Sequence, residues 1–273
     1  MTKQKYIQSL SNILLFIFGA IWLYPFYIMV VNALKNRKEI FGNPLGVPTT
    51  LTFKNFIAAF EALDFVKSFC NSAIITIGSI ILMIILPAMA AYALSRGPKK
   101  LSNKIYTGIS LTMLVPFQAI MIPLISLAGK MNLLNKSGLM LMYLGLGSSM
   151  AIFLYFGALK GIPKSLDEAA RIDGANAFQV FFKIIFPMLK PTTVTVIVLN
   201  SIWFWNDYLL PSLVINRPET HTIPLKMFYF FGAYSTQWDL ALAGLIIAIV
   251  PIIILYAFLQ KYIIEGISDG AVK

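Results

Sequence analysis

The polar segment between Ile162 and Pro191 holds the densest set of functional side chains in an otherwise apolar chain: Lys164, Ser165, Asp167, Glu168, Arg171 and Asp173. Ser165 and Glu168 have the spacing of a capping box, in which the serine hydroxyl accepts the Glu168 N–H and the glutamate reaches back to the serine N–H. A helix is therefore expected to start at about Ser165. Along it, Leu166, Ala169 and Ala170 fall at i, i+3, i+4 and make a narrow small-residue stripe, while Asp167, Glu168 and Arg171 point elsewhere. Gly174 supplies the left-handed stop that a side chain would adopt only at a cost. A second helix is expected from about Ala175, with Phe178, Phe181, Phe182 and Ile185 on one face, ended by Pro187 and Pro191. Two short amphipathic helices joined at a glycine present apolar knobs on a polar background, which suits a groove on a soluble partner.

The elements that position this segment are membrane spans. The 273 residues are 58% hydrophobic and 12% charged, far more apolar surface than a soluble core of this size hides. Crossing the hydrocarbon layer takes about 20 apolar residues. Six such runs are present: Leu10–Leu34, Phe69–Leu94, Ile105–Ala128, Leu139–Leu159, Thr192–Leu210 and Leu240–Ile263. The expected fold is all-α, one membrane domain over residues 1–273 with a polar loop at 160–190. Lys3 and Lys5 precede the first run, but that run is too long for a secretory signal and lacks an A-x-A-like exit, so it reads as a retained span. Pro87, Pro116, Pro123 and Pro251 fall inside spans, where each removes a helix hydrogen bond and permits a bend.

With six spans both termini share a face with Ser95–Lys104 and the polar loop. That face holds thirteen of the 22 basic residues against nine opposite, although Lys35, Arg37 and Lys38 locally outnumber Lys3 and Lys5. Basic residues near span ends are retained in the cytoplasm, so the polar loop and both termini are expected there. The net charge of +11 then reflects topology and attraction to anionic lipid, a better reading than nucleic-acid binding. In the outer segment Lys35–Ser68, Thr52 precedes Phe53, Phe56, Ile57 and Phe60, a helical stripe N-capped by the threonine that either caps a pathway or rests on the membrane.

Several activities are excluded. One cysteine and one histidine cannot build a cysteine- or histidine-rich metal site or a disulfide. Cys70 reads as a small packing residue and His221 as a solvated outer-loop residue. No G-x-x-x-x-G-K-S/T loop occurs, so ATP-driven work falls to a partner. No nucleophile–base or paired-carboxylate set sits at membrane depth, which argues against an enzyme. Ion-coupled secondary transport is the alternative from another class, but it usually leaves ionisable residues within spans, and here Asp207 is the main candidate.

Glu168-Ala169-Ala170, Asp173-Gly174-Ala175 and Ile184-x-Phe186-Pro187 resemble the E-A-A-x-x-x-G…I-x-L-P loop of permease subunits of bacterial ATP-binding-cassette importers, with Phe186 where leucine is commoner. Pro116-Phe117-Gln118 through Pro123-Leu124, Leu133-Leu134-Asn135, Trp205-Asn206-Asp207-Tyr208 and the tail from Glu265-Gly266-Ile267 to Lys273 are similar to the carbohydrate-uptake branch, of the smaller maltose permease type. The resemblance implies a type I importer permease of the bacterial cytoplasmic membrane, in a heteromer with a second homologous permease, two cytoplasmic ATPase subunits and an external sugar-binding protein. ATP and Mg would sit on the ATPases, and this chain would bind no cofactor or metal. Glu168, Ala169, Ala170, Arg171, Asp173, Gly174 and Ala175 would form the ATPase-coupling element, and the tail from Glu265 would either reach the ATPase or end solvated. Trp203, Trp205, Asn206 and Asp207 are the candidate pathway residues, indoles stacking on pyranose C–H faces and the amide and carboxylate bonding hydroxyls. Interfacial anchoring is the other reading of these tryptophans. A non-sugar solute is the alternative within the same branch.

Overall fold

The computed structural model describes residues 3–232 and 236–271, with the side chains of 3–7, 9, 259 and 261–271 outside the description. Apolar residues on every face leave the backbone no polar alternative in lipid, so these runs satisfy their N–H and C=O groups internally as helices. In chain order these are α1 (Lys3–Ala33), α2 (Arg37–Gly42), α3 (Lys54–Ala62), α4 (Phe65–Arg96), α5 (Lys99–Thr112), α6 (Phe117–Lys130) and α7 (Lys136–Leu159). Next come α8 (Ser165–Ile172), α9 (Ala177–Val180), a π-helical stretch at Phe181–Ile185, α10 (Phe186–Met188), α11 (Lys190–Asn206), α12 (Leu209–Val214), α13 (Ile223–Met227) and α14 (Trp238–Ala271). Among the described residues the only β-type pairing is an isolated bridge between Phe231 and Thr236. Leu10–Ala33, Phe65–Arg96, Lys136–Leu159 and Trp238–Phe258 are long and apolar enough to cross a membrane. Counting each of two bent pairs as one span gives six. The expected all-α, six-span fold with an intervening helix–turn–helix is therefore present.

Two span expectations need correction. The third span is not one helix: α5 and α6 meet at a 99° bend. Pro116 has no N–H to continue the ladder and disfavours a helical conformation in the residue before it, and Pro116 itself is extended at φ −67°, ψ 139° as the residue preceding α6. The fifth span stops at Asn206 instead of Leu210, because Asp207 is extended (φ −70°, ψ 129°). At the other end of the chain α14 continues through Ala271, so the tail read from Glu265 prolongs that helix, and its side chains lie outside the description.

The chain packs as two compact units. One comprises Met1–Phe65 and Lys226–Pro251. Here the end of α1 is tied by amides: Asn55 donates to the carbonyls of Ala33 and Lys35 at 2.8 and 2.7 Å, and Asn32 donates to Pro44 at 2.8 Å. Lys35 is fully buried and donates to the Asn43 carbonyl at 2.7 Å and to Asn32 Oδ1 at 3.2 Å. That explains the local charge excess after the first span, since Lys35 anchors a helix end and is not a solvated loop cation. In α3 the expected aromatic stripe faces outward, with Phe53, Ile57 and Phe60 exposed while Asn55 and Ala59 are buried. Phe53, not Thr52, is the residue preceding that helix, and Thr52 Oγ1 accepts the Lys54 N–H at 3.3 Å.

The second unit comprises Val66–Leu225 and Ile252–Lys273. Its core is built around α7, with Leu139, Tyr143, Tyr155 and Leu159 fully buried beside Met83 of α4 and Ile185. Gly147 lets α4 and α11 pack close to α7: a Cβ there would meet Met83 Cε at 2.6 Å and Asn200 Oδ1 at 3.1 Å. Ser68, Asn71, Ser72 and Ile75 mark the buried face of α4, which leaves Cys70 on the opposite face and exposed, contrary to the packing role expected of it. On the same face Asn71 donates to the carbonyls of Glu219 and His221, 3.0 Å each, so His221 is held through its backbone.

Candidate docking and pathway residues

α8 starts at Ser165 as expected, yet the capping box is not there. Lys164 is already helical (φ −66°, ψ −24°), and its carbonyl accepts the Asp167 and Glu168 N–H groups at 3.0 and 3.2 Å. Ser165 therefore sits inside the first turn, where its hydroxyl cannot reach the N–H that a cap would satisfy. The capping box belongs to the second helix: Asn176 Oδ1 accepts the Gln179 N–H at 3.0 Å, and Gln179 Oε1 accepts the Asn176 N–H at 2.8 Å.

Between the helices Gly174 has φ +84°, the left-handed conformation expected of it. The Ala175 N–H reaches the Ala170 carbonyl at 2.9 Å and the Gly174 N–H reaches Arg171 at 3.1 Å, the two bonds of a Schellman stop. The second helix begins at Ala177 and widens into the π-helical stretch before Pro187, which cannot donate to the Lys183 carbonyl. This shifts its faces: Val180, Phe181, Ile185 and Leu189 are buried, while Phe178 and Phe182 of the expected stripe are exposed. The chain then turns by 76° into α11.

What fixes α8 is Asp167, which spacing alone places merely off the small-residue stripe. Asp167 is 5% exposed and accepts from Tyr92 Oη at 2.5 Å and from Arg96 Nε at 3.1 Å, with Arg96 Nη2 at 2.9 Å. Arg96 also donates to the Ile162 carbonyl at 3.3 Å. The Tyr92 ring lies 5.4 Å from that of Phe181, so one residue near the end of α4 touches both helices of the pair. Burial opposes ionisation of Asp167, but hydrogen bonds from Arg96 and Tyr92 and the Arg96 charge outweigh it and hold the carboxyl below its ordinary range. Of the other candidate residues, Ala170 is buried in the core and Ala175 half-buried, whereas Glu168, Ala169, Arg171, Asp173 and Gly174 are exposed. Ala170 therefore faces this chain, not the outside. The outward apolar points are Leu166, Ala169, Ile172 and Phe178, with Ile172 86% exposed.

At the end of α11 the four pathway candidates separate. Trp205 is buried with its ring 5.6 Å from Phe69, and Asp207 accepts from Tyr143 Oη at 2.9 Å and from the Leu209 N–H at 3.1 Å. Asn206 is exposed and donates to the Ile202 carbonyl at 2.8 Å. Trp203 is 40% exposed and packs edge-on against Tyr143 at 5.9 Å.

Residues 83–269 match the family described as binding-protein-dependent transport system inner membrane component. The chain is 48% identical over 270 residues to the probable starch degradation products transport system permease protein AmyC of Thermoanaerobacterium thermosulfurigenes, covering 99% of this chain and 97% of that one. It is 38% identical over 266 residues to the multiple sugar-binding transport system permease protein MsmG of Streptococcus mutans, covering 96% and 95%. Its fold matches a chain in the crystal structure of a bacterial ABC transporter involved in the import of the acidic polysaccharide alginate, with TM-score 0.81 at 24% identity over 96% of this chain and 98% of that one. The chain therefore belongs to the family of binding-protein-dependent transport system inner membrane components and is the permease subunit of an importer of that kind.

Proposed function

We propose that this subunit pairs with a second permease in the bacterial cytoplasmic membrane, as one permease domain with both termini inside, to pass sugars or oligosaccharides delivered by an external binding protein. Two ATPase subunits carry ATP and Mg, and this chain binds neither. The names of the relatives favour a carbohydrate cargo. The observation that carries the coupling role is the anchoring of α8. A helix capped by a Schellman stop and clamped through Asp167 to Tyr92 and Arg96 of α4 transmits a push from its outer face to a span, whereas a loose loop would absorb it.

In this reading Glu168, Ala169, Arg171, Asp173 and Gly174 meet the ATPase together with Leu166 and Ile172, while Ala170 and Ala175 support the pair from beneath. In the pathway, Trp203 and Asn206 present themselves to solute, and Trp205 and Asp207 hold the end of α11 in place. Reconstituting this chain with its companion permease, ATPases and binding protein should give oligosaccharide uptake that requires both ATP and the binding protein. Uptake driven by an ion gradient without ATP would overturn it.

A further inference from the structure

The bend in the third span opens a cavity of about 690 Å³, lined among others by Thr112, Met113, Phe117, Ser148, Ser149 and Trp203. It lies at the break of the third span, where α5 and α6 face the middle of α7 and the last turn of α11. At the break the helical ladder gives way to shorter bonds, Leu114 N–H to Leu111 at 3.1 Å and Val115 N–H to Thr112 at 3.2 Å, and Leu114 is 78% exposed. Irregular backbone at membrane depth is tolerated only where protein or a water-filled cavity covers it, and broken spans hold the solute sites of many transporters.

The hydroxyls at this break are poised in one sense. Thr112 Oγ1 gives its proton to the Ile109 carbonyl at 2.7 Å, so across the 2.5 Å contact with Ser149 the serine is the donor. Ser148 donates to the Leu144 carbonyl. Ser148 and Ser149 thus offer only lone pairs to a visitor, which fits solute hydroxyls that donate. Beside them stands the indole of Trp203, whose Cζ3 would lie 3.3 Å from a Cβ at Gly147, so the ring is held against α7. None of the lining residues is ionisable. A carboxylate entering this space would lose its hydration with no cation to receive it. The volume falls within the range of about 300–1,000 Å³ of small-molecule sites.

We propose that this cavity is the subunit's own saccharide site: Trp203 stacks on a pyranose face, Ser148 and Ser149 accept from its hydroxyls, and the absence of charge selects neutral sugars. It rests on the importer reading and names the solute contact within it. The test uses the reconstituted transporter with maltotriose as neutral probe and a trisaccharide of uronic acids as charged probe, in a Cys70→Ala background. Wild-type uptake driven by ATP and binding protein is the separate check on the importer reading. Given that uptake, Trp203→Ala and Ser149→Ala are each expected to lower maltotriose transport about three- to tenfold, the worth of one neutral hydrogen bond or more, with ATPase stimulation by loaded binding protein kept. Ser148→Cys should react with a membrane-impermeant thiol reagent, slowed by maltotriose and not by the uronic trisaccharide. Full transport in both variants, a cysteine that does not react, or equal protection by both probes would overturn the proposal.

Discussion

Replacing Asp167 with alanine removes the acceptor for two donors that are themselves largely shielded. The Arg96 side chain is 13% exposed and that of Asp167 7%, so Asp167→Ala leaves a guanidinium with only the Ile162 carbonyl and a Tyr92 hydroxyl without its acceptor. Breaking a buried pair from one side costs about 3–5 kcal/mol, and partial access to water puts this case at about 3 kcal/mol. At 1.4 kcal/mol per tenfold, opening of α8 should become about 100-fold more frequent. Asp167→Asn keeps the shape and an acceptor for Tyr92 but loses the charge, so about 1–2 kcal/mol, or roughly tenfold, is expected. Hydrogen exchange of the amides from Glu168 to Asp173, measured by mass spectrometry in nanodiscs, reads this opening. Adding Arg96→Met to Asp167→Ala should recover part of the loss, since the stranded charge goes with it. Wild-type exchange in Asp167→Ala would refute the clamp as the source of rigidity.

The same carboxyl gives a pH dependence: because its folded value is depressed, its contribution is complete above the ordinary Asp range near about 4 and is lost as pH falls below that through the folded value. The protection of α8 amides, taken relative to the intrinsic exchange rate at each pH, should therefore be flat from neutral pH to about 5 and fall in acid, and Asp167→Asn should abolish the fall. Gly174 has open space where a Cβ would stand, so its substitution is penalised by backbone alone: Gly174→Val should cost about 1–2 kcal/mol and Gly174→Asn less, read as loss of ATPase coupling in that order. Asn176→Ala should weaken the second helix by about 1 kcal/mol while Ser165→Ala is nearly silent, by exchange of the corresponding amides; the reverse order would restore the capping box to Ser165.

Local chemistry was legible. The left-handed Gly174 and the six apolar runs each depend on residues within one or two turns, which spacing reports directly. What spacing could not report was the partner of Asp167, because Arg96 lies 71 residues away and in sequence is merely one more basic residue near a span end. The S-x-x-E pattern at Ser165 failed for a related reason: Lys164 adopts helical dihedrals and takes the preceding position, and no residue type announces that. Pro116 did mark the third span, but a proline alone does not distinguish a kink from a 99° break. Trp203 and Trp205 are two positions apart, about 200° around a helix, so they had to diverge, one to a cavity and one to Phe69.

The docking of α8 on an ATPase is tested most directly by proximity. With Cys70→Ala removing the exposed native thiol, Ala169→Cys is paired with single cysteines along the candidate cleft of a co-expressed ATPase subunit, and oxidation is followed with and without ATP. A cross-link is expected at Ala169 in the assembled transporter, with none from the buried neighbour Ala170→Cys. A transporter that takes up its sugar normally yet yields no cross-link at Ala169 would contradict it.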